Sequence, residues 1–232
     1  SMLRSLEGPD PGQLVFYVQN DTLPLSVAER QCEPGVPCII QFDQSNSHAA
    51  ERTTYYWARQ GFSAIDAVDG CPNFLGTGIH FRVNSGPCGA SASSGSVIAG
   101  RAQFPCGSLG RISSVVLHEM EHVLESRASA LPQTCEFMSA NAKEARADGF
   151  GLLVPGSVNL ESPYTGNGYY LNKCGYGVRQ HNVLRRIPED VLLLQDGEIL
   201  SGFYWDAAAS IPAQDALRYF LESVCGCQLG EW

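Results

Sequence analysis

Between residues 112 and 124 apolar side chains recur every three or four positions: Ile112, Val115, Val116, Met120, Val123 and Leu124. That is the stripe of a helix facing a core. No Pro or Gly interrupts residues 111–131, and Ser113 or Ser114 is placed to cap the first turn. A second helix is expected over 140–154, closed by Pro155, with Ala142, Ala145 and Ala147 small enough to admit a close neighbour. Upstream, residues 37–43 read as a strand and residues 48–60 as a helix with Ala49, Thr53, Tyr56, Trp57 and Gln60 near one face. Residues 62–68, 78–83 and 95–103 read as three further strands. Residues 1–12 are expected as a flexible lead, 84–97 as a flexible loop, and 156–178, rich in Gly, Asn and Tyr, as another loop. Residues 187–195 suit a short helix, and 212–225 an amphipathic helix with Ala216, Leu217, Phe220, Leu221 and Val224 inward. The mixture implies an α+β class.

The first helix carries His118-Glu119-Met120-Glu121-His122. Residues four apart share a helix face, so both imidazoles can address one metal ion, and the Glu119 carboxylate lies where it can act as general base on a water that the ion activates. The competing reading is an ordinary helix with two surface histidines. Placing two of the chain's five histidines around a Glu among apolar neighbours argues for the metal. A catalytic zinc needs a third protein ligand. Residues 123–130 hold no Gly or His that would extend the motif, so the ligand must come from elsewhere. Glu144 and Asp148 share a face of the second helix. Glu144 is read as the third ligand, with Asp148 accepting a hydrogen bond from the outer nitrogen of a ligating histidine. Asp148 itself, or a distant residue such as His181, is the alternative ligand. A plain salt-bridging surface face is the bland reading of the pair.

With these residues the chain resembles the gluzincin metallopeptidases, in which one helix carries His-Glu-x-x-His and a second carries Glu-x-x-x-Asp or a close variant. Residues 144–155 are also similar to the Glu-x-x-Ala-(Asn/Asp)-x-Phe-Ala segment of small bacterial minimal gluzincins. The likeness spans about residues 112–155. Asp148 as ligand would instead resemble the aspzincins, whose Gly-Thr lead-in is missing here. The resemblance implies a zincin-like fold: a twisted mixed sheet packed on the motif helix and a mostly helical, loop-rich C-terminal part. It implies one domain over 13–232, with lobes 13–131 and 132–232 and a cleft between them. It also implies an edge strand within 78–103 that pairs with extended substrate, and one catalytic Zn²⁺. An oxyanion-stabilising donor is expected from Tyr164, Tyr169, Tyr170, Tyr176, Arg179 and His181, with His181 and the tyrosines near it preferred.

Composition narrows the picture further. An apolar fraction of 44% in 232 residues is enough for a substantial core. No run of about 18 apolar residues suggests a membrane span. The net charge of −9, with Lys143 and Lys173 the only lysines, disfavours nucleic acid. Nine cysteines without a Cys-x-x-Cys pair read as disulfide stapling in an oxidising compartment, Cys32 and Cys38 being candidates to pair across Pro34-Gly35-Val36-Pro37. The chain is therefore expected to be secreted or extracellular, or else periplasmic. Ser1-Met2 is taken as a cloning remnant that follows any signal peptide. The expected activity is hydrolysis of peptide bonds in a peptide or protein substrate. The alternatives are a zincin-fold binding protein without proteolytic activity and a zinc hydrolase of non-peptide amides. No signal for oligomeric state was found.

Overall fold

The first long helix, α1 (Ala49–Asp66), begins where His48 can act as its cap. The His48 ring accepts from the Ala50 N–H at 3.1 Å, and the Glu51 carboxylate accepts from the His48 N–H at 2.7 Å. These contacts satisfy backbone donors that a helix start leaves open. The computed structural model describes residues 2–5, 16–22, 47–68, 78–87, 89–93, 95–102, 108–128, 140–155, 169–172, 177–180, 203–204, 206–207 and 209–229. The strand expected over 37–43, the short helix over 187–195 and the disulfides fall outside the described residues.

Five strands form one mixed sheet: β1 (Met2–Ser5), β2 (Phe16–Asn20), β3 (Ile79–Val83), β4 (Ala90–Ser93) and β5 (Ser96–Ala99), in the order β1-β2-β3-β5-β4. The central strands β2, β3 and β5 run parallel, while β1 and β4 pair antiparallel on the two edges. A parallel neighbour needs a crossover, and α1 lies in the one between β2 and β3. Ile79, Phe81 and Val83 are buried on one face of β3, where α1 packs, and His80 and Arg82 alternate to the other. Long helices among the described residues that follow are α2 (Ser113–Ala128), α3 (Ala140–Leu153) and α4 (Ala213–Leu229). A separate hairpin pairs β6 (Tyr169–Asn172) with β7 (Gly177–Gln180).

Helix α2 lies at the centre, packed against α1, α3, β4 and β5. Ile112, Val115, Val116, Met120, Val123 and Leu124 are all buried, as the stripe predicts, and so is Leu117. Thr54 of α1 donates to the Gly110 carbonyl at 2.9 Å, fixing the single turn of 3₁₀ helix, Leu109–Arg111, that leads into α2. On α4, Ala216, Phe220 and Leu221 are buried as expected.

Several expectations are corrected. Residues 62–66 continue α1 and do not form a strand over 62–68. Ala58, Gly61, Phe62 and Ile65 are buried at helical spacing, and the apparent alternation came from sampling that face. The side of α1 that carries Ala49, Thr53, Tyr56, Trp57 and Gln60 is not its most buried one. Tyr56 is 55% exposed, whereas the small residues Ala50, Ala58 and Gly61 face inward. Close approach demands that smallness: a Cβ on Gly61 would sit 2.8 Å from the Met120 sulfur. Residues 2–5 are a strand and not part of a loose lead, because β2 offers them an edge to pair with. The 84–97 loop contains β4, entered through the left-handed Asn84 (φ 55) and the positive-φ Gly86 and Gly89. Within the loop expected over 156–178, residues 169–172 and 177–178 instead belong to the β6–β7 hairpin; Tyr169, Tyr170 and Leu171 suit a strand once a partner is available. Ser113 already lies inside α2, and the carbonyl of Ile112 accepts the bond from Val116 N–H at 3.1 Å, so neither serine precedes the helix as its cap.

Candidate metal centre

Helices α2 and α3 run antiparallel at close range. Gly151, near the end of α3, lies against the backbone of Ser114, near the start of α2; a Cβ there would come within 2.9 Å of the Ser114 carbonyl oxygen. From that contact the two helices pair in steps of about one turn. His118 meets Asp148, His122 meets Glu144, and Glu125 meets Lys143. This register explains why an i, i+4 spacing on α2 is matched by an i, i+4 spacing on α3. Each turn along one helix brings the next pair of side chains together.

The donor atoms of His118, His122 and Glu144 converge. The two Nε2 atoms are 3.1 Å apart. Glu144 places one carboxylate oxygen 3.3 Å from each of them. Metal–ligand bonds of about 2.0–2.1 Å give a tetrahedron edge of about 3.3 Å. The two 3.3 Å contacts use different oxygens of Glu144, and one donor atom from each residue lies within 4.8 Å of the other two, close enough to gather around one small cation. These three residues form a group that could hold a metal ion. Two imidazoles and a carboxylate match the donor chemistry of zinc. His118 is buried, His122 is one-fifth exposed and Glu144 about one-third, so the cluster opens to solvent on the Glu144 side.

Asp148 is buried and bonds the other nitrogen of His118, Nδ1, at 2.8 Å. It thus faces the ring edge opposite the one turned towards His122 and Glu144. Between the two carboxylates, Glu144 is in position to be the ligand and Asp148 to orient the histidine. Glu119 is buried next to both histidines, close enough for its charge to bear on each. Of the expected oxyanion donors, Tyr169 and Tyr170 lie on β6 and Arg179 on β7, with Tyr170 paired to Arg179. Tyr164, Tyr176 and His181 lie outside the described residues.

Four charged residues of the centre were not anticipated. Glu121 is buried and accepts from Arg146 Nε at 2.5 Å, and Lys143 Nζ lies 2.7 Å from Glu125. The signal was present as two carboxylates on α2 four residues apart, opposite two basic side chains on α3. Glu121, His122 and Glu125 form a second group with metal-like spacing. There, however, Arg146 and Lys143 already supply compensating positive charge.

The electrostatics of the first group favour added positive charge. Burial alone would lower the pKa of His118, but its bonds to Asp148 and Glu144 and the charges of Asp148 and Glu119 outweigh burial and raise it to about 9. For His122 burial is outweighed by Glu125 and Glu144. Glu144 is held well below the usual carboxylate range by its contacts with both histidines, against the effect of burial. With the Nε2 atoms so close, a proton on one ring opposes a proton on the other, and the pair shares its first proton. A raised histidine pKa stabilises the fold fully below about 6.5 and stops doing so as pH rises through the folded value. The metal-free protein is therefore expected to lose melting temperature between about pH 6.5 and pH 9. Zinc-loaded protein should hold its melting temperature over that window, since the ion replaces the proton as the positive charge. Thermal denaturation against pH, with and without chelator, checks both. Glu144 has the opposite sign: its contribution is present above about pH 4.5 and is lost in acid.

No family model matches this chain, and comparison with the curated proteins finds no match either, so the functional reading rests on the centre itself.

Proposed function

We propose that the chain is a secreted zinc-dependent endopeptidase of gluzincin type. One observation carries the reading: two histidine nitrogens and a carboxylate converge at the spacing of a zinc coordination shell, with the Glu119 carboxylate buried alongside. When bound, zinc supplies a Lewis acid that makes water a nucleophile near neutral pH and polarises a carbonyl. His118 and His122 would hold the ion through Nε2 and Glu144 through its carboxylate. Asp148 fixes the His118 tautomer by accepting from Nδ1–H. Glu119 takes the proton from the attacking water and hands it to the leaving amine.

Strand β4 supports a peptide substrate. It is an edge strand, it packs against the motif helix, and an extended chain can add to such an edge by main-chain hydrogen bonds. The nine cysteines support an extracellular or periplasmic setting. Among the described residues no helix is long and apolar enough to cross a membrane. The test is incubation with an unfolded protein, with and without a zinc chelator. Fragments should appear, cease with chelator and return on adding zinc. One bound zinc with no cleavage would point to a binding role instead.

A further inference from the structure

Each candidate histidine ligand has an outer ring nitrogen, and the fold brings a carboxylate to both. For His118 it is Asp148 on α3, in direct hydrogen bond. For His122 the outer nitrogen, Nδ1, faces Glu125 Oε2 at 3.8 Å and Glu121 Oε2 at 4.0 Å. These separations are longer than hydrogen bonds by about 1 Å.

The two carboxylates are not equivalent. Glu125 follows His122 by three residues and so shares its helix face, whereas Glu121, one residue before, projects to another side. Glu125 is gripped from α3: Lys143 Nζ lies 2.7 Å from Oε1, which leaves Oε2 turned towards His122. Glu121 bonds Arg146 through its own Oε1, and its buried Oε2 has no hydrogen-bond partner, so what favours Glu125 is the shared helix face and the shorter separation from His122. The alternative, a second cation held by Glu121, His122 and Glu125, would add positive charge beside Lys143 and Arg146, which already compensate both carboxylates.

We infer that Glu125 is a positioning residue for the metal centre, and this rests on the zinc reading above. Its Oε2 accepts the Nδ1–H of His122, which selects the tautomer with a free Nε2 lone pair and fixes the ring plane. Lys143 holds the carboxylate in that pose. The centre thus has one orienting carboxylate from each helix, Asp148 for His118 and Glu125 for His122. Neither is needed as a ligand.

Zinc affinity, measured by competition with a chromophoric chelator, together with zinc stoichiometry, tests this. Glu125→Ala should weaken zinc about 10- to 100-fold. Glu125→Asp keeps the charge but withdraws the oxygen, and should weaken binding similarly. Glu125→Gln keeps a carbonyl acceptor at full reach and should stay within about threefold of wild type, as should Glu121→Gln. The melting temperature of the metal-free variants is the control for a merely structural role, and the Asp and Gln variants decide the matter if Ala fails to fold. Unchanged affinity in Glu125→Asp, or a loss confined to Glu121→Gln, would overturn the proposal. So would two zinc ions in wild type falling to one in the Glu125 variants. Wild type that binds no zinc would remove the underlying reading instead, and is seen before any variant is compared.

Discussion

Replacing Glu144 with alanine is expected to reduce bound zinc from about one ion per chain to a small fraction after dialysis. Glu144 is the one member of the triad whose oxygens reach both histidine nitrogens, at 3.3 Å each. Its removal leaves two neutral nitrogens and takes away the nearest negative charge. Loss of an orienting group typically weakens a metal site 10- to 100-fold, so loss of a ligand should exceed about 100-fold. The side chain is about one-third exposed, so the substitution leaves no buried cavity and the metal-free fold should persist. Asp148→Ala should behave differently on both counts. It lies behind His118, so zinc binding should weaken by about the 10- to 100-fold of an orienting group. It is buried and bonded, so the fold itself should suffer. Elemental analysis after dialysis, paired with thermal denaturation, separates the two roles. Full zinc retention in Glu144→Ala would assign the third ligand elsewhere.

The motif helix and its partner were legible because both carry strong one-sided patterns. The apolar stripe of α2 marked the buried side, and the i, i+4 pairs His118/His122 and Glu144/Asp148 could meet if the two helices packed side by side. Sequence could not supply the crossing itself. It depends on contacts such as Gly151 on Ser114, and nothing local marks that glycine as a point of contact. Helix α1 shows the opposite failure. The sequence showed one face but not which side turns inward: Tyr56 is exposed, while Trp57 is partly buried against the core. The true inner face is small, since it must fit against Met120 and Leu117. Strand β4 was missed for a similar reason. Ala90, Ser91, Ala92 and Ser93 have weak strand preference, and only pairing with β5 makes them a strand. The Glu121–Arg146 and Glu125–Lys143 pairs were missed because charges on α2 and α3 look alike whether they face solvent or one another.

Glu119→Gln should separate chemistry from metal binding. The substitution preserves volume and leaves His118, His122 and Glu144 untouched, so zinc content and melting temperature should stay near wild type. The amide cannot accept a proton, so the water that attacks the carbonyl keeps its own and the leaving amine receives none. General acid–base groups contribute about 10²- to 10⁴-fold, and turnover of an unfolded protein substrate should fall by that much. The loss should appear in kcat more than in KM, since Glu119 is assigned to proton transfer and not to holding the peptide. Its burial beside the cluster makes the effect specific. In that setting the carboxylate's charge bears on both imidazoles, which places it beside any ion they would hold. Normal hydrolysis by a zinc-loaded Glu119→Gln protein would show that the base is another residue and would return the centre to the status of a bound metal without assigned chemistry. Loss of hydrolysis with zinc retained would tie the buried carboxylate to proton transfer at the ion, which a zinc bound only to stabilise the fold would not require.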